Sequence, residues 1–269
     1  MIRDNIRLGT SSWSTRDWIG PFYPPGTRPE AFIEYYATQF SCVEIDATFY
    51  RPPTVRNVDA WARRTPDGFQ FAAKVPRLIT HDKLLVDATD DMMSFLDTMS
   101  RLGNRLGPVL LQFPYFNKQQ FAGPQPFLER LDRFLCSLPS TFRLVVEVRN
   151  KWWIKPPLQN LLKSHGVALA WVEQAWMPNA GEWFAQTGGP SANFAYIRFL
   201  GDHKAMDALT STWDKTVVDR TDVLKQWAPV VKDLLNRDVQ VYGFFNNHFG
   251  GHAPDSLRQF SAILNELAN

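Results

Sequence analysis

Two cysteines in 269 residues are too few for a disulfide framework. Cys42 and Cys136 have no CxxC neighbour and no ligand-like spacing, so both read as buried thiols in a reducing compartment. Histidine is also scarce, at 5, which makes a multi-histidine metal site hard to assemble. No stretch is long and apolar enough to span a bilayer. Residues 1–7 lack the apolar centre of a secretory signal, so a cytoplasmic location and no membrane partner are expected. There is no block of Lys and Arg. A net charge of +2 makes no case for nucleic acid by itself. Walker A, HExxH, GxSxG and EF-hand patterns are all absent.

The chain is rich in aromatic residues, at 14% with 10 Trp. Such residues build a core, or line a cleft as platforms for sugars or bases. Apolar runs recur in strand-like pieces: Ile6–Thr10, Phe69–Lys74, Pro108–Phe113, Arg143–Arg149, Val167–Val172, Phe194–Phe199 and Val239–Phe245. Helical patterns over 28–40, 54–64, 90–102, 127–138, 155–165, 222–236 and 254–267 separate them. Segment 173–192 breaks the rhythm with no clear long helix, and 201–220 is a polar stretch.

One more strand, the second in chain order, opens the nine residues Cys42–Tyr50, where Val43 and Ile45 alternate with Glu44 and Asp46. Strands of a parallel sheet are covered on both faces, so two carboxylates there must be paired or reach a wet cleft. Eight strands alternating with helices over this length predict an α/β fold, a single (β/α)8 TIM-type barrel over 1–269 with an irregular unit after strand six. An open doubly wound sheet is the competing architecture, but no strand leads into GxGxxG.

Reacting groups of such barrels sit at the C-terminal ends of the strands. Those ends carry Glu44 and Asp46, Lys74, Gln112, Glu147 and Arg149, Trp171 and Glu173, Arg198, and Asn246, Asn247 and His248. Closure would gather them into one ring. Glu44, Asp46, Lys74 and Glu147 are the candidate catalytic residues. Glu147 beside Arg149 should stay ionised and suit a base, whereas Glu44 and Asp46 would repel unless one holds a proton and acts as an acid. Lys74 would hold a phosphate or carboxylate. The competing reading is a structural ion-pair network, because the signs balance.

Candidate substrate-binding residues are Trp13, Tyr50, His81, Gln112, Arg149, Arg198, Asn246, Asn247, His248, Gly250 and Gly251. The Gly250–Gly251 pair allows close backbone approach beside a helix N-terminus, a natural anion site. His248 and His252 have the spacing of a helical metal pair, but the glycines between them argue for a loop. His165 and His203 read as surface residues. No cofactor is required and no metal ligand is assigned, although a divalent metal is compatible with the carboxylates.

Several motifs resemble the YecE-like family, domain of unknown function 72. They are Gly9-Thr10-Ser11-Ser12-Trp13-Ser14 with Trp18, Gly20 and Phe22-Tyr23-Pro24; Val43-Glu44-Ile45-Asp46 with Thr48-Phe49-Tyr50; and Phe71-Ala72-Ala73-Lys74-Val75-Pro76 with Thr80-His81. Leu111-Gln112-Phe113-Pro114, Glu147-Val148-Arg149 with Trp152 or Trp153, and Phe245-Asn246-Asn247-His248 with Gly250-Gly251-His252-Ala253-Pro254 continue the series. The resemblance implies a TIM-type barrel and supplies no reaction. It also implies His before the glycine after strand seven, as in Arg-Leu-His-Gly, where this chain has Arg198-Phe199-Leu200-Gly201.

The leading functional expectation is acid–base chemistry, of hydrolase or isomerase/lyase type, on an anionic small molecule such as a sugar phosphate. One alternative is a hydrolase of nucleic acid similar in fold to endonuclease IV, with the aromatic loop from Trp13 to Tyr23 as stacking platform. The other is a ligand-binding barrel without catalysis. The sequence leaves the oligomeric state open.

Overall fold

Eight parallel strands form one sheet in the order β1-β8-β7-β6-β5-β4-β3-β2. They are β1 (Ile6–Thr10), β2 (Cys42–Ile45), β3 (Gln70–Lys74), β4 (Leu106–Gln112), β5 (Leu144–Glu147), β6 (Ala168–Glu173), β7 (Phe194–Phe199) and β8 (Gln240–Phe245). The computed structural model describes residues 5–268; Met1–Asp4, part of the segment read above for a signal, lie outside the described residues. Helices α1 (Phe32–Gln39), α2 (Val55–Arg64), α3 (Thr89–Ser100), α4 (Pro124–Cys136) and α5 (Pro156–Ser164) follow the first five strands, and α8 (Thr221–Asn236) and α10 (Ala253–Ala268) complete the outer layer. The result is a nearly closed (β/α)8 barrel of TIM type. Among the described residues no helix is long and apolar enough to cross a membrane.

The seam lies between β1 and β2, which exchange no backbone hydrogen bond among the described residues. The Tyr36 hydroxyl fills it. It accepts from the Thr10 amide at 2.8 Å and donates to the Cys42 carbonyl at 3.1 Å. Gly9 lets the strands come together there, since a Cβ at that position would lie 2.2 Å from the Cys42 carbonyl oxygen.

Several sequence expectations change. Strand two ends at Ile45, and Asp46–Phe49 turns into a 3-10 segment. The Thr48 hydroxyl enforces that turn, reaching the carbonyls of Ile45 at 2.7 Å and Lys74 at 2.6 Å. The irregular unit contains α6 (Ala180–Thr187), opened by reciprocal Asn179–Glu182 capping and closed by Gly188 at φ 66°. The polar stretch holds α7 (His203–Leu209), capped by the Asp202 carboxylate, and the loop after β8 contains the short α9 (Asn247–Gly250). Cys136 is exposed rather than buried, because it is the last residue of α4.

Gly9→Ala should force the seam apart and cost about 1–3 kcal/mol, the usual range for overpacking. Tyr36→Phe leaves the Thr10 amide and the Cys42 carbonyl without their partner, at a similar cost of about 1–3 kcal/mol. Urea titration of both variants checks this, and an unchanged midpoint in both would show that the seam is not under tension.

Candidate functional site

Period-two alternation decides which strand residues enter the barrel. In β7, Ala195, Ile197 and Phe199 alternate with Tyr196 and Arg198, and register pairs Arg198 with Val172 of β6 and Phe244 of β8. Gln112 pairs with Glu147 in the same way. Trp171 and Glu173 therefore take the opposite face from Val172. Trp171 stacks on Trp183, and the Glu173 carboxylate accepts from the Trp227 indole at 2.7 Å. These two strand-end residues face the helices and leave the ring.

Arg198 is the hub. Its Nη2 and Nε lie 2.6 and 3.2 Å from Glu44 Oε1, and its Nη1 lies 2.9 Å from Glu147 Oε2. The Tyr196 hydroxyl donates to Glu44 Oε2 at 2.6 Å. Glu147 Oε1 meets Arg149 Nη2 at 2.7 Å, and Arg149 Nη1 donates to Gln174 Oε1. Asp46 Oδ1 sits 2.8 Å from Lys74 Nζ and 3.6 Å from Arg198 Nη2. Glu44, Asp46, Lys74, Glu147, Arg149 and Arg198 thus form one cluster of three acids and three cations, with Gln112 beside it.

The expectation that Glu44 and Asp46 share one face and repel changes here. Asp46 stands on the turn, and a guanidinium rather than a proton lies between the two carboxylates. Burial alone would raise the Asp46 carboxyl, but Lys74 and Arg198 outweigh it and hold the group below the usual range. Glu147 behaves likewise: complete burial pushes it up, and Arg149 with Arg198 pull it lower still. Arg198 also stands where a divalent ion would have to stand to bridge these acids. Among the described residues, the grouping that brings three metal-type ligand atoms together is Asp132, Cys136 and His165. Cys136 and His165 precede β5 and β6, at the opposite end of the barrel.

Two histidines adjoin the cluster. His81 lies edge-on to Phe49, over whose ring Lys74 Nζ sits at 4.2 Å. Partial burial, then Lys74 and Arg77, lower its pKa to about 4. His203 is exposed, in line with its reading as a surface residue, and its ring stacks on His248 at 4.0 Å with planes 5° apart. Shielding of that ring, then His248, Arg149 and Arg198, also lower its pKa to about 4. Gly201, at φ 67°, permits this approach, because a Cβ there would meet the His248 carbonyl oxygen at 2.3 Å. His248 is held by Asn246 Oδ1 at 2.8 Å and Asp207 at 3.0 Å.

Other expected binding residues are placed differently. Gly250 and Gly251 pack on the chain's own residues 215–218, and the Gly250 carbonyl accepts from the Val217 amide at 2.7 Å. The start of α10 offers no open anion site. The Ala253 amide is capped by Asn247 Oδ1 at 3.0 Å, the next residue is Pro254, and Asp255 pairs with His252 at 2.8 Å. His248 and His252 face different carboxylates and do not converge. Trp13 packs edge-on against Trp61, and Trp18, Phe22 and Tyr23 are buried, so the first loop presents no stacking platform. Tyr50 is exposed and lines a cavity of about 250 Å³ with Ser11, Ser12, Asp46 and Asn246. Sequence reasoning missed Tyr196, two residues before Arg198 and so on its face, and missed Gln174 and His203, which lie beyond strand ends where no period guides the eye.

The crystal structure of a DUF72 family protein of Thermotoga maritima is similar to this chain, at 28% identity over 97% of this chain and 99% of that one, with a TM-score of 0.78. The UPF0759 protein YunF of Bacillus subtilis is 27% identical over 96% of this chain and 94% of its own length. The UPF0759 protein YecE of Escherichia coli is 35% identical over 54% of this chain and 48% of its length. A glycoside hydrolase family 5 enzyme of Prevotella bryantii, at 14% identity and TM-score 0.54, shares the fold alone. The family model "Protein of unknown function DUF72" matches residues 7–269, and the chain belongs to that family.

Proposed function

We propose that the chain is an acid–base enzyme acting on a small phosphorylated or carboxylated molecule at the C-terminal mouth of the barrel. The observation that carries this is a division within the charged cluster. Glu44 and Glu147 are 0% exposed and turned toward Arg198, Tyr196 and Arg149, whereas the Asp46 side chain is 28% exposed beside Lys74. The two glutamates act as positioning residues. Asp46, ionised at neutral pH, acts as the base, and Lys74 and Arg149 hold the anion. His81 and His203, neutral at pH 7, offer uncharged ring nitrogens as hydrogen-bond partners. Ser11 Oγ, buried and without a hydrogen-bond partner among the described residues, lines the same cavity as Asp46 and offers a further donor.

A ligand-binding barrel without turnover is the second reading. The complete pairing of Glu44 and Glu147 favours it, since such pairing needs no reaction to explain it. The nucleic-acid reading loses its motive, because the aromatic residues of the first loop are spent on packing.

A panel of phosphorylated and carboxylated metabolites, screened by thermal shift and then by turnover, separates the first two readings; binding without conversion leaves the second. Asp46→Asn should lower kcat/KM about 10²–10⁴-fold, the usual worth of a general base, and should also lower the melting temperature, because it strips Lys74 of its partner; the activity loss should persist where the variant is fully folded. Glu44→Gln should instead destabilise by about 3–5 kcal/mol, read by urea titration, because it unbalances a buried guanidinium. Stability should also fall on the acid side. His81 and His203 refuse protons that the unfolded chain accepts below pH ~6.5, and Asp46 and Glu147 stay ionised after unfolded carboxyls protonate near pH ~4. Their stabilisation is complete above those unfolded values and drains as pH falls through the lower folded ones. A melting temperature that stays flat from pH 7 to 3 would contradict this ionisation scheme.

A further inference from the structure

Beside the charged cluster lies a cleft of which the acid–base roles use Arg149 alone. Gln112 and Arg149 form its floor, and Tyr115, Lys151, Trp152 and Trp176 its walls, around about 590 Å³. That is the size of a small-molecule site. Tyr115, Trp152 and Trp176 are 64%, 73% and 48% exposed, in a chain that buries Trp18, Trp171, Trp183 and Trp227 almost fully. Three large aromatics grouped around one cleft are an exposed apolar surface that calls for an occupant.

The cleft is held in shape by its neighbours. The Asn150 side chain bonds both backbone groups of Phe116, at 2.8 and 2.9 Å, and so fixes the loop carrying Tyr115 to the loop carrying Trp152. Trp153 turns the other way and stacks on Phe116, which leaves Trp152 facing outward. Arg149 donates to Gln174 and thereby ties in the loop that carries Trp176.

The chemistry of the lining selects the occupant. A sugar ring would bring several hydroxyls, for which the lining offers Gln112, the Tyr115 hydroxyl and two cations that suit an anion better, and unpaired hydroxyls are costly to bury. A flat heteroaromatic ring loses little water from its faces and gains by stacking on indole. Every charged residue of the lining is a cation: Arg149 on the floor and Lys151, whose Nζ lies 4.8 Å from the Trp152 ring centre. Charge complementarity therefore asks for an anion attached to that ring.

We propose that this cleft binds a planar heteroaromatic group stacked on Trp152 and Trp176, carried by a substrate whose phosphate or carboxylate meets Arg149; a nucleoside monophosphate has this form. The anionic half rests on the acid–base reading above, and the aromatic half stands on the cleft alone.

Calorimetric titration of the full chain with AMP, adenosine and ribose 5-phosphate tests it. AMP should bind at least about tenfold tighter than ribose 5-phosphate, and Trp152→Ala or Trp176→Ala should weaken AMP about tenfold, as loss of one stacked base implies. Both variants should leave ribose 5-phosphate unchanged and, being surface substitutions, keep the wild-type melting temperature. Equal affinity for AMP and ribose 5-phosphate, AMP affinity indifferent to both tryptophans, or no binding of any of the three would overturn the proposal. Adenosine binding that depends on Trp152 but gains nothing from phosphate would uphold the stacking and sink the anionic reading instead.

Discussion

Arg198 carries a charge in the interior of the barrel with 2% of its surface exposed. Such a group persists only if its donors are met and its charge is balanced nearby. Glu44 from β2 and Glu147 from β5 do both, with Tyr196 taking the remaining oxygen of Glu44. These bonds run across the barrel rather than along the sheet. They join β7 to β2 through the interior, past the β1–β2 seam, where no strand pairing is found among the described residues.

The cluster is electrically balanced but not uniform. Its inner members are sealed and mutually satisfied, and the stability they contribute is easily matched by well-packed apolar residues. Its outer members, Asp46 and Arg149, keep contact with open space, and Lys74, itself buried, lies against Asp46. Retaining an arginine in the interior is costly and makes sense where it fixes the geometry and ionisation of groups nearer the solvent. Against burial, Lys74 and then Arg198 hold Asp46 in its charged form, and Arg149 and then Arg198 do the same for Glu147; partial burial, then His248, Arg149 and Arg198, keep His203 neutral.

The aromatic residues divide in the same way. Those of the first loop and of α1 wedge between helix and sheet, where Tyr23 stacks on Phe32 and Phe22 on Phe40. Tyr115, Trp152 and Trp176, on the loops after β4, β5 and β6, stay at the surface and wall a cleft whose floor includes Arg149, itself part of the cluster. Composition alone offered the same two uses for aromatics and no means of assigning them.

The amino-acid order by itself determined the architecture and most of the charged ring. Helix and strand periods differ, and strand-end polar residues flanked by apolar ones mark the mouth of a parallel barrel before any coordinate is known. It also placed Glu44, Lys74, Gln112, Glu147, Arg149 and Arg198 on a common ring, because alternation assigns a face. Three-dimensional packing decided what local pattern does not encode. It turned Asp46 out of its strand through the bonds of Thr48, sent Trp171 and Glu173 to the helices through the register of β6 with β7, and set Gly250 and Gly251 against residues 215–218. It also brought His203 onto His248 and Trp176 to Trp152, pairs far apart along the chain. Contacts between loops depend on where the barrel leaves each loop, and no periodicity in the chain records that.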